Sequence, residues 1–163
     1  MQISRAQFIR GDFNGTQNPL RPPWAISEIQ FTEICTGCGD CAAHCPSHII
    51  KPGRANYPVV DFSLGECSFC GKCVDACSVN ALQTTDHGNA AWHIKASIDP
   101  NTCLAHKGVE CRSCYDPCET HAVTMAPRFG GVSIPAIDMD GCNGCGACYS
   151  VCPALAISMD TIQ

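Results

Sequence analysis

One cysteine spacing, C-x2-C-x2-C-x3-C, recurs along the chain and limits its fold more than any other feature. It is complete at Cys35, Cys38, Cys41 and Cys45, at Cys67, Cys70, Cys73 and Cys77, and at Cys142, Cys145, Cys148 and Cys152. Pro46 and Pro153 follow the first and last of these runs, and Ser78 follows the middle one. A further run is stretched at its start, where Cys103, Cys111, Cys114 and Cys118 are separated by seven, two and three residues. The sixteen cysteines are thus used four to a run, with none left over. They also count toward the 45% hydrophobic content of a 163-residue chain that has only six Phe, three Tyr and two Trp. A core that thin argues against a large α/β enzyme, and small domains of this kind fold around cross-links or metals. Something bound to cysteine must stand in for the missing apolar core.

Three kinds of cysteine chemistry compete. Disulfides suit exported chains, but Arg5 and Arg10 are followed by Gly11-Asp12-Phe13-Asn14-Gly15-Thr16-Gln17-Asn18, which is no apolar h-region. No cleavable secretory signal is read there, so metal ligation is the expectation. Zinc ribbons use pairs of cysteines separated by longer loops rather than triples, which leaves zinc open chiefly for Cys103–Cys118. A [4Fe–4S] cube takes four thiolates, one per iron. Three cysteines with two residues between each wrap a loop around three irons, and the fourth, three residues on, lies a turn further along and faces away. The three regular runs are therefore expected to hold [4Fe–4S] clusters and the stretched run a fourth, with all sixteen cysteines as iron ligands. A Pro after the fourth cysteine suits the start of a short helix or a turn, where no backbone donor is required.

The chain also repeats itself. Cys35 to Cys67 and Cys45 to Cys77 are each 32 residues, Cys114 to Cys145 is 31, and Cys118 to Cys152 is 34. At the fourth and fifth places after each run stand Ile49-Ile50, Ala81-Leu82, Ala122-Val123 and Ala156-Ile157, which read as strands leaving a cluster loop. Other β-prone pieces precede the runs at Val59 to Phe62, Ile94 to Ile98 and Val132 to Ile137. Each unit reads strand, cluster loop, short helix, strand. One unit cannot bury its own face, whereas two related by a pseudo-twofold axis can. The expected fold is α+β and loop-rich: an N-terminal tail over 1–30, a first dicluster module over 31–90 and a second over 91–163.

These repeats resemble the bacterial 2[4Fe–4S] ferredoxin module, present twice. Nearly end to end, the chain is similar to the NapF family, ferredoxin-type accessory proteins of periplasmic nitrate reductase. The likeness rests on Arg21-Pro22-Pro23-Trp24, Glu66-Cys67-Ser68-Phe69-Cys70, Cys103-Leu104-Ala105, Glu110-Cys111-Arg112 and Cys142-Asn143-Gly144-Cys145-Gly146-Ala147-Cys148. It implies crossed ligation, in which the fourth cysteine of a run serves the neighbouring cluster. The sets are then Cys35, Cys38, Cys41 with Cys77; Cys67, Cys70, Cys73 with Cys45; Cys103, Cys111, Cys114 with Cys152; and Cys142, Cys145, Cys148 with Cys118. It further implies a cytoplasmic protein that meets the immature catalytic subunit of periplasmic nitrate reductase before export and assists its cofactor maturation. An electron-transfer ferredoxin subunit feeding a reductase is the alternative, and a zinc-binding scaffold is a third reading.

The remaining signals mostly exclude. A net charge of −5 and a pI of 5.6 argue against a nucleic-acid binder, and four clusters at about −2 each would take the charge to roughly −13. No apolar run approaches the length of a membrane span. No Ser/His/Asp arrangement, phosphate loop or dinucleotide fingerprint is present, so the chain reads as no enzyme. Ser4-Arg5-Ala6-Gln7-Phe8-Ile9 resembles a twin-arginine motif with Ala6 in place of the second arginine. His44 and His48 read as solvated loop residues or as donors to cluster sulfur, and His106 as a bystander or substitute ligand. Lys72 and Arg112 place positive charge inside cluster loops. Trp24 either caps the first cluster module or anchors a partner, and the stiff Arg21–Trp24 segment is the expected docking surface.

Overall fold

A computed structural model describes residues 19–84 and 91–161. The Arg5-Ala6 motif lies outside these residues. In chain order the elements are α1 (Glu28–Ile34), α2 (Asp40–Ala43), β1 (Ile50–Pro52), β2 (Pro58–Val60), α3 (Lys72–Asp75), β3 (Ile94–Ile98), β4 (Val123–Ala126), β5 (Ile134–Ile137), α4 (Ala147–Ser150) and β6 (Ile157–Thr161). They form an α+β fold of short strands and helices strung between cysteine loops.

The strands pair as three separate antiparallel ribbons. In the second half the flanking strands β3 and β6 pair from Ile94↔Thr161 to Ile98↔Ile157, and the inner pair β4 and β5 from Val123↔Ile137 to Ala126↔Ile134. The first half keeps its inner pair, β1 with β2, from Ile50↔Val60 to Pro52↔Pro58. Its flanking pair shrinks to the isolated bridge Ala25↔Leu82, with Ile26 N–H donating to Ala81 O at 3.2 Å and Gln83 N–H to Trp24 O at 2.9 Å. Residues just before the first run, assigned to the tail by sequence, thus supply one edge of the first half.

The strands read from sequence at Ile94–Ile98 and after three of the four runs are present. The short helix is displaced. Of the helix or turn read after the fourth cysteine, the turn is present at Pro46 and Pro153, and the helix lies inside each regular run and carries the third cysteine. Gly39, Gly71 and Gly146 cap these helices with φ between +76° and +85°. The stretched run has Arg112 at that position, without the left-handed backbone, and forms turns instead of a helix. Three residues beyond each fourth cysteine the backbone turns left-handed, at His48, Asn80, His121 and Leu155 (φ +50° to +55°). Each of these donates its N–H to the carbonyl of that cysteine, at 2.9 to 3.2 Å. The repeat is therefore a repeat of backbone conformation, not only of cysteines.

Arg21 to Pro23 face inward, which argues against Arg21–Trp24 as a docking surface, while Trp24 is half-buried against the apolar core, in keeping with a cap on the first module. Pro22 and Pro23 are fully buried. Arg21 makes a double contact with Glu28 at 2.8 and 2.9 Å, donates to Pro58 O at 3.0 Å, and lies over the rings of Phe31 and Tyr57 at 4.9 and 5.4 Å. One continuous apolar core runs from Phe31 and Ile49 in the first half to Ile157 and Met159 in the second. Among the described residues, no helix is long and apolar enough to cross a membrane.

Candidate functional site

Each regular run begins as an irregular loop and tightens into a single helical turn. That geometry brings the first three thiols to the wall of one cavity, while the fourth lines the neighbouring one. The short helices α2 and α3 pack on each other and interleave the two runs of the first half. Four small cavities result, and each is lined by four cysteines. The first holds Cys35, Cys38, Cys41 and Cys77; the second holds Cys45, Cys67, Cys70 and Cys73. The third holds Cys103, Cys111, Cys114 and Cys152; the fourth holds Cys118, Cys142, Cys145 and Cys148. The four are equally tight, with a cavity volume of about 20 Å³ each. In every cavity the fourth thiol comes from the neighbouring run, the crossed arrangement that the resemblance implies.

The stretched run reaches the same end by a different backbone. Residues 103–108 coil into a turn in which Lys107 N–H donates to Cys103 O at 3.1 Å and Gly108 N–H to Ala105 O at 3.0 Å. Gly108, at φ +85°, then reverses the chain and returns Cys111 to the cavity. The inserted residues are absorbed outside the thiol quartet. His106 does not line this cavity, and His44 places its ring nitrogen 2.9 Å from the Asp40 carbonyl. Lys72 is exposed on α3, and Arg112 lies 5.0 Å over Tyr115.

None of the sixteen cysteines is in a disulfide. Burial pushes the Cys41, Cys67, Cys73 and Cys114 thiols up to about 11 and Cys148 up to about 12, with nearby thiols adding to the effect. Cys145 is raised for the same reason. Such thiols hold their protons near neutrality, so a metal must displace those protons to bind. Once bound it supplies the countercharge these buried sulfurs lack. Two backbone N–H groups already point at sulfur, from Phe69 to Cys67 Sγ at 3.4 Å and from Ala156 to Cys152 Sγ at 3.3 Å.

The donor sets fit a cluster better than a single ion. Four soft thiolates around an apolar hollow match iron–sulfur chemistry. Phe31 and Leu82 wall the first hollow, Trp24 and Ile50 the second, Leu104 and Ile157 the third, Val123 and Met159 the fourth. Among the described residues, no three His, Cys, Asp or Glu converge closely enough to hold one metal ion. The thiols surround a volume instead of a point. When bound, a [4Fe–4S] cluster supplies one-electron redox chemistry; the chain supplies the thiols, the N–H donors and the dry walls.

Sequence reasoning singled out Trp24 but gave no role to Phe62, Phe69, Trp92 or Tyr149, the other aromatic residues that flank these loops. Phe69 lies between Trp24 and Trp92, with ring centroids 6.4 and 5.7 Å away, and Phe62 meets Trp92 at 5.6 Å and Tyr149 at 6.4 Å. The signal was present in the runs themselves. Cys35-Thr36-Gly37-Cys38 and Cys142-Asn143-Gly144-Cys145 carry Gly where Cys67-Ser68-Phe69-Cys70 carries Phe.

Comparison with known proteins supports the cofactor assignment. Residues 32–82 and 107–156 each match a 4Fe-4S dicluster domain. Two such domains provide for up to four [4Fe–4S] clusters, and sixteen cysteines suffice for them. The chain is 38% identical to the ferredoxin-type protein NapF of Escherichia coli K12 over 163 residues, covering 100% of this chain and 98% of that protein. It is 40% identical to NapF of Haemophilus influenzae over 171 residues, covering 99% and 96%. The methylamine utilization ferredoxin-type protein MauM of Methylobacillus flagellatus is 33% identical, over 82% of this chain and 63% of that protein. With this end-to-end likeness and four interleaved thiol quartets, the chain belongs to the NapF family of ferredoxin-type proteins.

Proposed function

We propose that this chain is an iron–sulfur accessory protein of periplasmic nitrate reductase whose sixteen cysteines hold four [4Fe–4S] clusters. It resides in the cytoplasm, binds the immature catalytic subunit there and assists assembly of that subunit's cofactors before export. It is not itself an enzyme. Residues 31–90 and 91–163 are the two working modules, and the segment before them closes the first. One observation carries the reading: four cavities with four thiols each, on a chain that matches NapF proteins over its whole length. A physical argument adds to it. An enzyme exported in folded form must receive its cofactors before it crosses the membrane, and a reducing cytosol keeps thiols free for that chemistry.

The test is an anaerobic pull-down from a cytoplasmic extract, with the export-blocked precursor of the catalytic subunit as prey. Retention of the precursor and release of the mature enzyme are expected. Failure to retain the precursor contradicts the accessory role. The continuous packing of the two modules favours a second reading, an electron-transfer subunit. Stoichiometric retention of the mature enzyme alone would establish that reading in place of the first.

A further inference from the structure

The backbone at Phe69 is left-handed, with φ +53°, the same turn that Gly37 (φ +66°) and Gly144 (φ +76°) make at the matching place in their own runs. Glycine takes that conformation freely, whereas a bulky side chain takes it against a steric cost. A strained residue persists where its surroundings hold it in place, and the strain points toward a use. Here the surroundings are two tryptophans. The Phe69 ring packs edge-on between Trp24, from the edge of the first half, and Trp92, from the start of the second. Trp92 in turn packs on Phe62 and donates its Nε1–H to Asn143 O at 3.1 Å.

The same line of contact continues through the backbone. Cys67 N–H, in the second cavity's loop, donates to Cys145 O, in the fourth cavity's loop, at 2.8 Å. The Phe62 ring occupies the space where a Cβ on Gly146 would stand. Trp24 N–H donates to Ala91 O at 2.6 Å. Among the described residues, none of these bonds or ring contacts between the halves involves the loops of Cys35–Cys41 or Cys103–Cys114.

We propose that the Trp24–Phe69–Trp92–Phe62 stack is a seam that fuses the two modules into one four-centre unit. The second and fourth cavities form its inner pair and the first and third its ends, and Phe69 is the residue that positions the seam. Crossed thiols already join the first cavity to the second through Cys45 and Cys77, and the third to the fourth through Cys118 and Cys152. The spatial order is therefore first, second, fourth, third, which is not the order of the runs in sequence. Clusters held by these quartets would supply one-electron chemistry, so this order would let one electron from a one-electron donor protein enter at one end and leave at the other, with no bond made or broken. The inference rests on the cluster reading above.

The test uses the full chain, loaded anaerobically and reduced with dithionite. Cys38→Ser with Cys111→Ser opens the two end cavities; Cys70→Ser with Cys145→Ser opens the two inner ones. Iron analysis shows which centres are filled, with about 16 per wild-type chain and about 8 per double variant. A wild-type shortfall speaks against the cluster reading; the order of centres is judged separately. With only the inner pair filled, the EPR spectrum is expected to show spin–spin splitting between centres of different modules. With only the ends filled, it is expected to show two uncoupled centres. An uncoupled inner pair, or coupled ends, would overturn the order. Phe69→Gly, placed in the inner-pair variant, is expected to weaken the splitting, and Phe69→Tyr to restore it. Trp24 and Trp92 are the chain's two tryptophans, so acrylamide quenching reads the seam even where a variant fails to load. Quenching is expected to rise in Phe69→Gly and to stay at the wild-type level in Phe69→Tyr. Unchanged quenching in Phe69→Gly would overturn the role of Phe69.

Discussion

In the second half of the chain, two ribbons of five and four residue pairs frame the thiol quartets. In the first half the flanking ribbon is the single bridge Ala25↔Leu82, and the inner one is three pairs long. The difference begins with Pro22 and Pro23, which have no N–H to offer a ladder and sit where a flanking strand would begin. What the first half lacks in pairing it makes up in side-chain packing. Phe31, on α1, is fully buried against Tyr57, with Arg21 held over both rings. Yet the cavities of the two halves are alike in thiol count, crossing pattern and size. The thiol cradle is thus set by the runs and their turns, while the frame around it is free to be a ladder or an aromatic core.

If that division holds, damage to each frame should release iron from its own half first, although one core joins the two. Phe31→Ala should have the largest effect, about 3–5 kcal/mol, because it removes the fully buried ring on which the first half depends. Anaerobic denaturant unfolding, with iron measured alongside, should show the first half's iron lost before the second half's. Ile157→Ala should do the reverse. Ile157 is buried in the β3–β6 ribbon and walls the third cavity, and its truncation should cost about 2–4 kcal/mol and release iron from the second half. Equal loss from both halves in either variant would mean that the frames are not separable.

Arg21→Met tests the same contrast at smaller amplitude. It keeps most of the stem and removes the Glu28 contact, the bond to Pro58 O and the charge over Phe31. The Arg21 side chain is 11% exposed and that of Glu28 33%, so screening reduces the pair's worth. A loss of about 1–2 kcal/mol is expected, centred on the first half and visible as a lower midpoint of thermal unfolding. Leu155→Asn should have the smallest effect and the opposite sign. Leu155 is left-handed and 80% exposed where the other three repeats carry His48, Asn80 and His121. Asparagine tolerates that backbone better, so a gain of about 1 kcal/mol is expected in the second half, read as a higher unfolding midpoint.

The grouping of the thiols into quartets was legible because the cysteines stand at fixed spacing. The quartets need only the runs and their crossing, and a run of β-branched and aliphatic residues such as Ile94–Ile98 announces its strand. The helices were misplaced because the cue taken was the proline after the fourth cysteine, whereas the effective cue is the left-handed glycine after the second. Gly39, Gly71 and Gly146 each start a turn of helix there, and Arg112 does not. Arg21–Trp24 was read as the docking surface because a stiff Pro-Pro segment can present an aromatic, whereas the other reading of Trp24, a cap on the first module, agrees with its place in the wall of the second cavity. The burial of Arg21 comes from Phe31, Tyr57 and Glu28, which no local pattern connects to it. The seam was missed for a related reason, since Phe62, Phe69 and Trp92 meet only once the two halves are folded.

Anaerobic iron and acid-labile sulfide content of the reconstituted chain, taken with its reduced EPR spectrum, tests the central claim most directly. Four thiol quartets predict about 16 iron and 16 sulfide per chain and signals of interacting [4Fe–4S] centres. About 12 iron, with the missing centre restored by no amount of reconstitution, would contradict the claim that the stretched run from Cys103 to Cys118 builds a cradle equal to the other three.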